Sequence, residues 1–365
     1  MPRVAHRDWS IDVPGWAQSL GVSKEAIEIY ASSDVIDLHV DTFIWTRVFG
    51  YDLRRRHSLG LFGRHFYGHT DFPRILEAGL TGATWIITTN PFKPPRMRRD
   101  AFFENLERIK AIFADVPEQF ALVRNRAEYD AARKAGKHGA FLGIQGGNCL
   151  SYDLDDLERI PGTGATCDIL RVTVVHLTSS TLGETNSPAG RYLHPRVAGL
   201  TDEGREYVRR LNEKKIFVDL AHIGRRAFFD AVAVHDKSQP LMVTHTGIAG
   251  VYDVWRNIND EQIKAVADTG GTVGIMFHTE FLGPKRQVST ATIVDHIEHV
   301  IAVAGEDFVS IGTDYDGAIS PPPELPTLFE MPRVVQVMLD RGHSPARIQK
   351  VLGGNFLRVV EALRG

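Results

Sequence analysis

The sequence predicts an α/β fold, a (β/α)₈ TIM barrel with extra helices at its C-terminal end. Two observations predict it: short β-rich apolar runs recur along the 365 residues, and segments with helical spacing of apolar residues fall between them. The runs are Val35 to Leu38, Ala83 to Thr88, Ala140 to Ile144, Ile169 to Val175, Ile216 to Leu220, Leu241 to Thr244, Thr272 to Phe277 and Phe308 to Gly312. Eight of them suit a closed parallel barrel. The amphipathic stretches are Phe102 to Phe113, Asp202 to Glu213, Arg226 to Val234, Asp260 to Asp268 and Thr292 to Val303. Barrels of this class run from about 200 to beyond 400 residues as one unit, so one domain over residues 1–365 is expected. Residues 1–30 read as a helical cap outside the barrel, and residues 319–365 as a loop and helices. Ile319 to Pro326 holds four prolines and should be extended. Helical patterns follow at Met331 to Leu339 and Pro345 to Leu352, the second opened by Ser344 as a cap before Pro345.

Composition narrows the function. Hydrophobic residues make up 43% and charged residues 24%, enough apolar mass for a large core. Lys plus Arg number 42 against 45 Asp plus Glu, a net charge of −3. Such a balance gives no field favouring nucleic acid or a membrane surface. The basic runs Arg54-Arg55-Arg56 and Arg96, Arg98, Arg99 read as solvated loop charge. Only Cys149 and Cys167 are present, too few and too far apart for a disulfide framework, which fits a reducing cytoplasm. No export-type apolar segment or membrane span is read from the sequence.

In a parallel barrel the chemistry sits at the C-terminal ends of the strands. The residues found there are coherent: His39-Val40-Asp41 after the first run, Gln145 after the third, His176 after the fourth, His222 after the fifth, His245 after the sixth and Asp314 after the eighth. Strand periodicity puts His39 and Asp41 on one side, where an imidazole nitrogen and a carboxylate oxygen can share a cation. His222 and His245 complete a mixed nitrogen and oxygen set suited to Zn²⁺ or a similar divalent ion. Asp314 lies in Gly312-Thr313-Asp314-Tyr315-Asp316-Gly317 and could exchange a proton with a water or a leaving amine, whereas Asp316 reads equally as a turn cap. Arg256 could pair with a substrate carboxylate or form a structural ion pair. His278 follows the seventh run with no supporting motif, and His57, His65, His69 and His194 read as surface residues.

Together these segments resemble the membrane (renal) dipeptidase family, the M19 metallopeptidases. The resemblance runs from about Val35 to Leu357 through Asp37-Leu38-His39-Val40-Asp41, Thr70-Asp71-Phe72-Pro73-Arg74 with Ala78-Gly79, Gly143-Ile144-Gln145-Gly146-Gly147, Val218-Asp219-Leu220-Ala221-His222, Thr244-His245-Thr246, the Gly312 to Gly317 segment and Gly353-Gly354-Asn355-Phe356-Leu357-Arg358. The resemblance implies that His39 and Asp41 bind a first metal and His222 with His245 a second. It further implies that His176 contacts the substrate carbonyl, Arg256 anchors the terminal carboxylate and Asp314 transfers the proton. Position 145 departs from the family, which carries a bridging Glu there. The neutral amide of Gln145 removes one negative charge between two mutually repelling cations, so paired occupancy should weaken. Asn148 and Ser180 stand where relatives carry a His and an Asn.

The expected activity is hydrolysis of a dipeptide, an N-acyl amino acid or a similar small amide by metal-activated water, with one or two zinc ions and a possible homodimer. The alternatives are a one-metal hydrolase of a non-peptide amide, lactone or ester, and a catalytically silent ligand-binding homologue. A further alternative leaves His39, Asp41, His222 and His245 as a metal-free hydrogen-bond network.

Overall fold

The computed structural model describes residues 3–58, 67–192, 196–284 and 287–365. His65 and His194, expected at the surface, lie outside the described residues. The strands are β1 (Ile36–Val40), β2 (Gly82–Thr88), β3 (Phe120–Leu122), β4 (His138–Gln145), β5 (Arg171–Thr173), β6 (Phe217–Asp219), β7 (Met242–Thr246), β8 (Thr272–Ile275) and β9 (Val309–Ile311). Their order is β1-β2-β4-β5-β6-β7-β8-β9 and every pairing is parallel. The eight strands on this path each overlap one of the predicted runs. Their residues are buried throughout, because helices cover the outside and side chains fill the inside. The extra strand β3 pairs only with β4. It escapes sequence reading because three residues, two of them half-buried, show no period.

The first and last strands meet through polar groups. Asp37 Oδ1 accepts from the Thr313 backbone N–H at 2.9 Å and from His39 N–H at 3.0 Å, and its Oδ2 accepts from Thr313 Oγ1 at 2.5 Å. Asp314 N–H donates to His39 O at 3.2 Å and Asp41 N–H to Tyr315 O at 3.0 Å. This seam brings the ends of β1 and β9 side by side.

The helices follow the predicted segments, with one large difference. The second strand is followed by Pro95–Ala114 rather than a helix starting at Phe102. Proline is tolerated in a first helical turn, so the helix begins earlier. Arg96, Arg98 and Arg99 are therefore helical residues, not loop charge; Arg98 donates to Asn148 O at 3.1 Å. The amino-terminal helices are Val13–Leu20 and Lys24–Ser32, packed on each other through an edge-on Trp16–Tyr30 pair at 5.7 Å. At the other end Pro332–Asp340 and Pro345–Gln349 form as expected, and Ser344 Oγ caps the second by accepting from Arg347 N–H at 3.3 Å. A π-turn, Lys350–Gly354, then carries the chain into Asn355–Arg364. Arg364 is 1% exposed and donates to the carbonyls of Lys215, Arg124, Cys167 and Ile169, tying the last helix under the barrel.

Two histidines away from the strand ends are packed as neutral rings. Burial pushes His138 and His296 down to about 4, against backbone hydrogen bonds to Leu80 and Leu282 that raise them. The folded value lies below the unfolded one, so their contribution is fully present above pH ~6.5 and is lost as pH falls through about 4. Each protonation then costs on the order of 3 kcal/mol. Calorimetric melting from pH 7 down to pH ~4.5 is expected to show a falling Tm, with a shallower slope in His138→Asn.

Candidate metal centre and catalytic cavity

The parallel strands end on one face, and their last residues converge there. His39 Nε2 lies 3.3 Å from Asp41 Oδ2 and 3.7 Å from Asp314 Oδ1. The His39 and His245 rings are 3.7 Å apart, and His222 Nε2 is 2.8 Å from His245 Nε2. His176 stands edge-on to His222 at 4.6 Å. His222 and Asp314 both have φ of 63°, a region unfavourable to residues with a Cβ, which marks the strand ends as places where strain is held for geometry.

Gln145 closes β4. Its amide matches its neighbours when Nε2 donates to Asp41 Oδ2 at 2.9 Å and Oδ1 at 3.2 Å while Oε1 accepts from His176 Nε2 at 3.0 Å. In the opposite orientation the oxygen would face acceptors and the nitrogen donors. Thr88 Oγ1 adds a bond to Asp41 Oδ1 at 3.2 Å. Asp41 is thus a carboxylate held by neutral donors and a histidine.

Below the site lies a charge that the sequence reading missed. Arg171, 1% exposed inside the barrel, donates to Asp219 Oδ2 at 2.8 Å and Thr173 Oγ1 at 2.6 Å, and its Nη2 is 2.6 Å from His39 Nδ1. A guanidinium only donates, so His39 Nδ1 accepts and the ring carries its proton on Nε2, toward Asp41. The available signal was an arginine inside the apolar run Ile169 to Val175. Asp219 also accepts from Thr173, Thr244 and Ala221.

Burial governs the protonation of the site. It lowers His39, and it takes His176 to about 4, so that ring is neutral near pH 7. Burial, reinforced by Arg256 for His222 and by His39 for His245, puts both of these histidines well below the usual range. Burial would raise Asp41, but the adjacent His39 and their hydrogen bond hold it below the ordinary carboxylate value. Asp314 is raised by burial and then by the charge of Asp41.

The donors fit a divalent ion. Two neutral imidazole nitrogens 2.8 Å apart must share a proton or a cation; ligand atoms of His39, His245 and Asp314 also lie within 4.8 Å of one another, although both His39 nitrogens are engaged by Arg171 and Asp41. Nitrogen and oxygen donors of this kind suit Zn²⁺-like chemistry. A cavity of about 330 Å³ has Asp41, Gln145, His176, His222, Arg256 and Asp314 in its wall. Arg256, lowered to about 10 by burial, donates Nη2 to His245 O at 2.7 Å, while Nε and Nη1 have no protein partner.

The remaining sequence expectations divide. His278 stands on the cavity wall, edge-on to Phe281 at 4.9 Å. Asp316 is a scaffold: its Oδ1 accepts from the Gly68 and His69 N–H groups at 2.8 and 2.9 Å, and its Oδ2 from Thr42 Oγ1 at 2.6 Å. His69 is fully buried against it rather than at the surface, because its Nδ1 accepts from Asp316 N–H at 3.1 Å. His57 is half-buried, stacked on Tyr51 at 3.4 Å. Asn148 and Ser180 are buried but not on the cavity wall.

A parallel barrel with histidines, carboxylates and a buried arginine at its C-terminal mouth defines a scaffold of the metal-dependent hydrolase class. More closely, the profile for membrane dipeptidase (peptidase family M19) matches residues 23–364, and the chain belongs to that family. Similar solved structures include a probable dipeptidase, PvdM, from Pseudomonas aeruginosa (17% identity, TM-score 0.80, 95% of this chain and 99% of that one). Another is a metallopeptidase from Rhodobacter sphaeroides bound to a phosphinate mimic of the dipeptide L-Ala-D-Ala (22% identity, TM-score 0.76, 91% and 99%). A curated relative, an uncharacterized protein in the pqqA 5′ region of Klebsiella pneumoniae, is 35% identical over 167 residues, a match spanning 45% of this chain and 60% of that protein. Among the described residues no helix is long and apolar enough to cross a membrane.

The Arg171–Asp219 pair tests how the base of the site is held. Removing one member leaves a buried uncompensated charge, so Asp219→Ala is expected to lower stability by about 3–5 kcal/mol. Urea unfolding of Asp219→Ala and of the double variant Arg171→Met/Asp219→Leu should show the double variant to be the more stable.

Proposed function

We propose that this protein hydrolyses a dipeptide or a similar small amide, such as an N-acyl amino acid, with one firmly held zinc ion rather than two. The observation that carries the reading is the pair of neutral nitrogens, His222 Nε2 and His245 Nε2, 2.8 Å apart, of which His222 lines the cavity. These two residues would hold the ion, and His245 also belongs to a group with His39 and Asp314 whose ligand atoms lie within 4.8 Å of one another. On the other side, the Gln145 amide and the His39 Nε2 proton already occupy the Asp41 carboxylate, which disfavours a second cation there. The ion would polarise the amide carbonyl and make a water acidic enough to attack near neutral pH.

The chain's own groups complete the chemistry. Arg256, which keeps N–H groups with no protein partner, would bind the substrate carboxylate and so fix the scissile bond near the histidines. His176 is neutral, and its single ring N–H, which donates to Gln145 Oε1 at 3.0 Å, would turn from that amide to the oxygen that gains charge when substrate is bound. Asp314, whose Oδ1 lies 3.7 Å from His39 Nε2, passes a proton to the leaving amine.

The hydrogen bonds from Gln145 to Asp41 also favour a second reading, a barrel that binds carboxylated ligands without cleaving them. Purified enzyme assayed against a dipeptide and N-acyl amino acid panel, with metal counted by plasma mass spectrometry, separates the two. The first reading expects turnover with one equivalent of metal, and a second equivalent in Gln145→Glu. Two equivalents in the natural protein contradict the one-ion assignment. Turnover that arises only in Gln145→Glu establishes the silent reading.

A further inference from the structure

The cavity wall divides into a polar group of strand-end residues and an apolar group. The charged groups on its wall are Asp41, Asp314, Asp316 and Arg256, and Asp316 is fully engaged in holding its own loop. Most of the rest of the wall is apolar, formed by Ile44, Trp45, Leu177, Trp255, Phe281 and Ile319, with His278 among them. Leu177 is 47% and Trp255 44% exposed, and large apolar side chains left in water around a concave site gain most when a ligand covers them.

Trp45 is fixed before any ligand arrives. Its Nε1 donates to Asp316 O at 2.7 Å, and its ring stacks on Phe49 at 5.6 Å with planes 5° apart and lies 5.0 Å from Tyr67. The Asp316 backbone that holds it has φ of 67° and is locked through the Asp316 carboxylate to Thr42, Gly68 and His69. A rigid aromatic wall loses little conformational entropy when it is covered.

Position around the mouth assigns the wall to one half of the substrate. Trp45 follows β1, whereas Arg256 follows β7, and β8 and β9 lie between them in the sheet. With the carboxylate of the leaving half at Arg256, the acyl half extends toward Trp45, Ile44 and Ile319. We propose that the cavity selects small amides whose acyl half carries a large apolar or aromatic side chain, with Trp45 as the main specificity-determining residue. The inference rests on the amide-hydrolase reading above. The volume of about 330 Å³ is at the small end of ligand sites, which keeps the substrate to roughly two residues.

The test compares kcat/KM for Phe-Ala and Leu-Ala with that for Gly-Ala and Glu-Ala, using metal-loaded protein. The apolar pair should be favoured by at least about ten-fold, and Trp45→Ala should bring the Phe-Ala to Gly-Ala ratio close to one while Trp45→Phe retains most of it. A natural-protein ratio within about two-fold of one, or a ratio unmoved in folded Trp45→Ala, overturns the inference. Ile319→Ser serves as the second variant should Trp45→Ala not fold, with the same direction expected. If no dipeptide is cleaved, the hydrolase reading fails, and calorimetric binding of N-(3-phenylpropanoyl)glycine against N-acetylglycine decides the selectivity alone. Tighter binding of the phenylpropanoyl compound by about ten-fold supports it, and equal binding overturns it.

Discussion

The site depends on the seam between the first and last strands. One buried carboxylate, Asp37, gathers the backbone N–H groups of His39 and Thr313 and the Thr313 hydroxyl. Burial raises Asp37 to about 7, with those hydrogen bonds and Arg171 pulling the other way, so the seam is a polar joint inside an apolar barrel. Its geometry sets everything above it. Because β1 and β9 are locked in this register, His39, Asp41 and Asp314 project onto one patch, although 273 positions separate Asp41 from Asp314 in the chain. Histidines from β7 and from the turn after β6 then reach the same patch.

A second constraint sits beneath the first. Arg171 is a full positive charge within the barrel, neutralised by Asp219 and directed at His39 Nδ1. It fixes the proton of His39 on the face that looks at Asp41. Gln145 acts on the same carboxylate from β4. An amide at this position fulfils hydrogen-bonding roles toward both Asp41 and His176, yet brings none of the negative charge that would hold two cations at short range. The two sides of the site are therefore unlike: one carries a carboxylate already satisfied by protein donors, the other two neutral imidazoles whose Nε2 atoms face each other.

Much of this was legible in the sequence, for physical reasons that differ from element to element. Strands buried on both faces read as continuous apolar runs, so the eight barrel strands could be located, and chemistry at the C-terminal ends pointed to His39, Asp41, Gln145, His176, His222, His245 and Asp314. The geometry brings all seven to one region. Three kinds of feature were hidden. Arg171 is stabilised by Asp219, a partner 48 residues away that no local pattern reveals. His69 looked like a surface residue because its local sequence is polar, while its burial comes from Asp316 at the far end of the chain. Trp45 is one more aromatic residue in the sequence, and only its bond to Asp316 O turns it toward the cavity. Helix starts were also blurred where proline opens the helix, as at Pro95.

The central claim is that the donor set is asymmetric, with a cation held between His222 and His245 and none between His39 and Asp41. The direct measurement is anomalous diffraction at the zinc absorption edge from crystals of the natural protein grown with zinc and without chelator. The account predicts one peak, beside His222 and His245. A second peak of comparable height against His39 and Asp41, with Gln145 turned to place its oxygen on the metal, would contradict it.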